Sequence, residues 1–308
     1  MDVGRKSEMS VLKFSLTVLA VAGCWRPTSW TSPFRNIMYN AYTLSVILIL
    51  YTFAITQVME LILNADDSDT FGDALFNVII SLLACYKTIV IRKSHENIVT
   101  LINTFTETPF KPLDLNENMI LEKFNIRITF ICGLLLHICC QIEILEHRLL
   151  NIVNAQESLR DCVHHHIRIF EYSYMVNENF ARIVPSEFIM ITVVMCYNLI
   201  HMALTSSTTA SYIQNVMVIA STLAPIFYYC WFGNEVKLKS LQLSNNIYNI
   251  EWTILNNNIR KSLLMIMNRA TIPIEFTSAN IMSMNLESFV MVLKTSYSLF
   301  NVLINSQK

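Results

Sequence analysis

Glycine is nearly missing from this chain: Gly4, Gly23, Gly72, Gly133 and Gly233 are the only five among 308 residues. No two stand close enough to build a GxGxxG or GxxxxGK loop, which excludes a dinucleotide or P-loop phosphate cradle. Charge is scarce as well, at 15% of residues, where soluble chains carry roughly 25%. So few charges cannot cover a water-exposed surface. An excess of basic residues is also lacking, since 22 Lys and Arg face 23 Asp and Glu. A nucleic-acid binder needs a positive surface to displace counterions, so that class is excluded. The eight cysteines contain no CxxC pair. What remains is apolar: 53% of residues are hydrophobic and the mean hydropathy is +0.43. The chain reads as an integral membrane protein.

Runs without charge locate the spans, because a bilayer core roughly 30 Å thick takes about 20 apolar helical residues. Asn36 to Met59 gives one. Asp73 to Arg92 gives a second, interrupted by Lys87, whose stem is expected to snorkel. The 47 uncharged residues between Glu187 and Glu235 give two more, joined at Thr205–Thr209. A last span is expected from Ser278 to Leu303, with Glu287 and Lys294 inside it.

Lys and Arg set the orientation, since they are retained on the cytoplasmic side. Arg5, Lys6, Lys13, Arg26 and Arg35 precede the first span, while Asn64–Gly72 and the Thr205 turn carry none. Lys237, Lys239, Arg260, Lys261 and Arg269 follow the Glu187–Glu235 run. The N-terminus is therefore expected inside and the C-terminus outside. Phe124 to Gln141 conflicts with this count, because Lys123 and Arg148 flank it and both count as inside. A single crossing cannot satisfy both, so a non-spanning or re-entrant segment is expected there, beside five true spans.

Three connecting stretches complete the layout. Val11 to Cys24 is expected as a short interfacial helix with Trp25 and Trp30 at headgroup level. Lys13 inside its core, and Trp25-Arg26-Pro27 after it, argue against a cleaved signal peptide. Pro109 and Pro112 should stop a helix within Glu107–Asp114, and Val236 to Met267 should form a cytoplasmic helix.

Residues that could carry chemistry give little. His164-His165-His166 point about 100° apart on a helix, so no two share the i, i+4 face of a ligand pair, and a solvated face is expected. No cysteine falls in the two cation-free loops, so the thiols read as small apolar packing residues. No nucleophile, base and orienting group fall together, and no enzyme or cofactor is expected. Glu287 and Lys294, seven apart, share a face with Ser298 on the last span. That polar stripe fits helix–helix bonding in a bundle or one wall of an ion pathway.

Four passages resemble the insect odorant receptor family, in its ligand-specific tuning type. They are Gly23-Cys24-Trp25-Arg26-Pro27 with Tyr39-Asn40-Ala41-Tyr42-Thr43, and His137 to Leu149. The others are Tyr228 to Val236 with Ser240 and Trp252, and Leu293 to Ser298 with Phe300, Val302 and Leu303. The resemblance implies an all-α polytopic bundle, here with five to six spans instead of seven. Residues absent between the positions of Phe130 and Gly133 would account for a fused third and fourth span at 124–145. The layout is then a cytoplasmic N-terminus (1–35), the bundle (36–235), a cytoplasmic anchor and linker (236–275) and a pore-lining last helix (276–308). It further implies a ligand-gated, non-selective cation channel formed as a hetero-tetramer with the shared odorant receptor co-receptor, in the plasma membrane of olfactory sensory neurons. Volatile small-molecule ligands would meet Phe76, Ile80, Leu83, Tyr197, Tyr212 and Val216. Ser298, Val302 and Ser306 would line the pore, and Trp231 and Trp252 would serve the anchor. The alternatives are a truncated isoform that only assembles with the co-receptor and, more remotely, a small membrane carrier.

Overall fold

The computed structural model describes residues 16–26, 33–63, 68–104, 107–123, 130–151, 159–204, 209–278 and 282–306. Helices dominate: α1 (Pro33–Leu63), α2 (Ser68–Lys93), α3 (His95–Thr104), α4 (Leu115–Lys123), α5 (Phe130–Asn151) and α6 (Leu159–Phe180). They continue as α7 (Ile183–Leu204), α8 (Thr209–Tyr248), α9 (Asn257–Ala270) and α10 (Leu286–Ser306). Thr277–Ser278 and Met282–Ser283 pair as a minimal antiparallel ribbon, β1 and β2. The chain divides into two compact units, one of Glu96–Ala181 with Tyr228–Leu286, the other of Leu16–His95 with Arg182–Phe227 and Glu287–Lys308.

The second unit is built on the antiparallel pair α1–α2, with α7 against α2. α1 leaves Leu44, Leu48, Ile49, Phe53 and Ile55 exposed. An apolar face this long is what lipid replaces water against. Lys87 does not snorkel as expected. It pairs with Glu187 at 2.8 Å, both side chains less than one-fifth exposed, because a cation inside a packed helix pair is held better by a carboxylate than by a bent stem. Residues 16–21 form a helical turn closed by Gly23 at φ +71°, with Cys24 N–H and Trp25 N–H both donating to Leu19 O. Glycine suits this left-handed cap because it has no Cβ. The Tyr39 hydroxyl bonds to the carbonyls of Ala20 (3.0 Å) and Trp25 (2.7 Å). Trp25 is not at a headgroup surface: it is buried, its ring edge-on to His95 at 4.6 Å. Trp30 lies outside the described residues.

In the first unit α5 is the core. Most of its residues are buried, with α4 and α6 packed on it and α9 on α6. α6 buries Cys162, His165, His166, Ile169, Tyr172, Ser173, Val176 and Phe180, the three-and-four spacing of one helical face. The expected solvated histidine face is therefore overturned for His165 and His166; only His164 is exposed. Gly233 of α8 lies where a Cβ would stand 2.3 Å from Met284 O, so only glycine lets the two backbones meet.

Two boundaries change, while α5 runs as one continuous helix from Phe130 through Gly133 to Asn151, long and apolar enough to cross a membrane yet mostly buried within its own unit. α1, α2, α7 and α8 are also long and apolar enough to cross. The last helix starts at Leu286 rather than Ser278, because the β1–β2 ribbon occupies the preceding residues. Val236 to Met267 is not one helix. α8 carries its first part to Tyr248, a 3-10 turn at Trp252–Ile254 follows, and α9 carries the rest.

Candidate functional site

The residues expected to meet a ligand lie in the second unit. Phe76 of α2 and Tyr197 of α7 stack at 3.9 Å with rings 10° from parallel. The Tyr197 hydroxyl donates to Asp73 Oδ1 at 2.6 Å, and His201 lies one turn further along α7 with its ring 6.0 Å from that of Tyr197. Spacing gives the reason. Asp73 and Phe76 are three apart on α2 and Tyr197 and His201 four apart on α7, so each pair shares a helical face. Ile80 and Leu83 continue the α2 face and are half-buried. Tyr212 and Val216 of α8 are exposed, and Asn215, between them in sequence, meets His201 Nδ1 through its amide nitrogen at 3.1 Å. Asp73 is the member that sequence reasoning missed, since it read only as the border of a charge-free run.

α10 has two unlike faces. Ser288, Val292 and Ser296 are buried, one turn apart. The Ser296 hydroxyl donates to Val292 O at 2.8 Å. Glu287, Lys294, Ser298 and Val302 are exposed, Val302 at 65%. The side chain of Ser306 lies outside the described residues. The face that carries the polar stripe is thus the one that α10 leaves uncovered.

In the first unit the second half of α8 is tied down at several points. Lys239 pairs with Glu143, and Asn246 donates to Glu146 Oε1 at 2.6 Å, both on α5. Ser240 Oγ accepts from Ile274 N at 3.0 Å, and Lys237 pairs with Glu275 at 2.7 Å. Trp252 donates its indole N–H to Tyr248 O at 3.0 Å, which fixes the turn between α8 and α9. Trp231, Tyr248, Leu264 and Met265 remain exposed.

Arg148 on α5, which the sequence had marked as a cytoplasmic cation, is buried at 3% exposure. Its Nε and Nη2 donate to Glu117 Oε1 and Oε2 at 2.7 and 2.9 Å. Nη1 reaches Pro109 O at 3.1 Å and Nη2 Lys111 O at 2.9 Å. Nη1 also faces His165 Nδ1 at 3.2 Å, while His165 Nε2 faces Gln141 Oε1 at 2.8 Å. Arg148 can only donate and the amide oxygen can only accept, which makes His165 the neutral Nε2–H tautomer. Burial, then the Arg148 charge, push His165 well below the usual histidine range. Phe110, from the Pro109–Pro112 stop, inserts its ring among His137, His165 and Tyr172 at 5.7–5.8 Å. The arrangement clamps the 107–114 turn onto α5 and α6.

A family model described as 7tm Odorant receptor matches residues 126–297. Odorant receptor Or2 of Anopheles gambiae is 31% identical over 145 residues, covering 47% of this chain and 38% of that receptor. Odorant receptor 10 of Aedes albopictus is 31% identical over 153 residues, covering 49% and 40% respectively. The chain thus spans about two-fifths of the length of the curated relatives it matches. Among solved structures, the insect olfactory receptor OR5 from Machilis hrabei in complex with eugenol aligns with a TM-score of 0.82. The identity is 15% and 98% of each chain is covered, a likeness of fold.

Proposed function

The chain belongs to the 7tm odorant receptor family, and on that premise we propose that it is a ligand-specific subunit for small volatile molecules. It opens a non-selective cation pathway together with the shared co-receptor, in a hetero-tetramer in the plasma membrane of olfactory sensory neurons. The observation that carries this reading is the open face of α10. A helix at the lipid surface gains nothing by exposing Ser298 and Lys294 around Val302, whereas a wet pathway with one apolar constriction uses that pattern. Phe76 and Tyr197, with Ile80 and Leu83, offer aromatic and aliphatic area to a ligand, and Tyr212 and Val216 join them as the outer wall. Burial of a small volatile yields roughly 25 cal/mol per Å² of apolar area, which suits moderate affinity and loose selectivity. Exposed Tyr248 at the end of α8 and Leu264 and Met265 on α9, with Trp231 further up α8, supply apolar area for assembly. The N-terminus is cytoplasmic and the C-terminus extracellular, as the Lys and Arg distribution favours.

The test is co-expression with the co-receptor and recording under a panel of volatile compounds. Evoked cation current that requires both subunits supports the reading. Co-purification without evoked current would favour a subunit that only assembles, and failure to co-purify would reject both.

A further inference from the structure

A pocket of about 190 Å³ lies at one end of the α1–α2 pair, lined by Gly23, Cys24, Arg26, Tyr39, Asn40, Thr43, Arg92 and His95. Its members come from the Gly23–Arg26 and Tyr39–Thr43 passages, some fifteen residues apart in sequence, and from the end of α2. The lining contains two arginines and a histidine and no carboxylate. Arginine stays charged at any physiological pH, so the pocket concentrates positive charge.

A second observation points into the same space. Ser45, Thr52 and Thr56 on α1 donate their hydroxyls to carbonyls one turn back. Thr43 does not: on a residue only 4% exposed, its Oγ1 meets no carbonyl and has only the Tyr39 hydroxyl beside it. That Tyr39 hydroxyl donates to the carbonyls of Ala20 and Trp25. A buried hydroxyl with no carbonyl to donate to is under-bonded, and a ligand oxygen at this point would complete its bonding. The turn that forms the rim is held in place by Gly23 in the left-handed region and by Trp25 against His95. The rim is therefore held by the protein itself, with the Arg26 and Arg92 side chains exposed at its mouth.

We propose that this pocket binds the phosphate of an anionic headgroup, supplied by a phosphorylated phospholipid of the leaflet that α1 and α2 meet at this end. Arg26 and Arg92 would take phosphate oxygens by paired charge-assisted hydrogen bonds, and Thr43 Oγ1 and the Asn40 amide would complete the shell. Basic pockets between spanning helices at the cytoplasmic interface suit such headgroups, and the Lys and Arg count puts this end of the α1–α2 pair inside. The site is independent of whether the chain senses volatiles.

The experiment uses the full chain purified in detergent, with three probes: dioctanoyl phosphatidylinositol 4-phosphate, its soluble headgroup inositol 1,4-bisphosphate, and dioctanoyl phosphatidylcholine. Expected is binding of the phosphoinositide and none of the phosphatidylcholine. Arg26→Gln and Arg92→Gln should each weaken it about tenfold, the effect of one lost hydrogen bond to a charged group. Arg92→Lys should retain part of the binding. Thr43→Val, nearly the same shape, should weaken it less, and Lys93→Gln, an exposed cation outside the lining, should leave it unchanged. Binding of the lipid but not of inositol 1,4-bisphosphate assigns the ligand to the membrane; equal binding assigns it to a soluble phosphate. Unfolding temperature checks that each variant is folded. Equal loss for Lys93→Gln and Arg92→Gln would reduce the effect to diffuse surface charge and overturn the proposal, as would no binding of either phosphorylated probe by the parent chain.

Discussion

Arg148 and Glu117 form a two-pronged ion pair, Nε to Oε1 at 2.7 Å and Nη2 to Oε2 at 2.9 Å, on side chains 3% and 1% exposed. Glu117 Oε2 also accepts from Leu113 N–H at 2.7 Å. Removing one partner leaves the other charge buried and unpaired, which typically costs about 3–5 kcal/mol. Glu117→Gln or Arg148→Met should each lower the unfolding temperature of the purified chain sharply. The double variant Glu117→Leu with Arg148→Met should lie closer to the parent, since no orphaned charge remains. A double variant as unstable as the sum of the singles would deny the coupling.

Acid should weaken the first unit through its histidines. Burial, with the Arg269 charge, holds His166 down from its ordinary 6.5 to about 4. The unfolded chain therefore takes up a proton near pH 6.5 that the folded chain refuses until about pH 4. Stability is then complete above pH 6.5 and falls as the pH drops from there toward 4. His165, also pushed low, adds to the fall in the same direction. Unfolding temperatures between pH 7.5 and 4 check this, and His166→Leu should flatten the slope.

Two glycines on helices should respond in opposite ways to the same substitution. Gly233→Ala drives a Cβ into Met284 O and should destabilise by about 1–3 kcal/mol, the usual cost of overpacking. Gly72→Ala meets nothing within 4 Å and should gain about 0.5–1 kcal/mol from helix propensity. Thermal unfolding of the pair decides whether the Met284 approach is as close as the geometry has it.

On α10, Val302 and Val292 separate gating from packing. Val302→Ala, on the exposed face, should raise ligand-independent current in the co-receptor assembly at equal surface expression. Val292→Ala, on the buried face, should lower stability and leave basal current alone. Unchanged basal current in Val302→Ala would remove that residue as the constriction.

The Phe76–Tyr197 stack gives the ligand test. Aromatic pairs of this kind contribute about 0.5–1.5 kcal/mol beyond their area. Phe76→Ala should therefore shift the dose–response of an activating volatile to roughly two- to tenfold higher concentration. Tyr197→Phe keeps the ring and loses only the Asp73 bond, so a small shift is expected. Equal effects would mean that the hydroxyl, not the ring face, matters.

The family was legible because it rests on local strings such as Tyr228 to Val236 and Leu293 to Ser298, and residues 126–297 match its model. The position of Asp73 beside Tyr197 was not. These residues are 124 apart in sequence and no periodicity on either helix names its partner. The histidines misled for a related reason. On spacing alone His165 and His166 look like an exposed polar run, yet the helix turns both under neighbours that only the packed unit supplies.

By itself the sequence determined the solvent of the protein and the material of its fold. Charge-free runs about 20 residues long can satisfy their backbone in lipid only as helices, and that follows from composition without knowledge of neighbours. Tertiary structure alone decided what each ionisable group is for. Lys87 became a partner of Glu187 rather than a snorkelling end, and Arg148 a buried clamp rather than an orientation signal. Arg26 and Arg92 came to share one pocket. A charge acts through what lies within a few ångströms of it, and those distances exist only once helices far apart in the chain have packed.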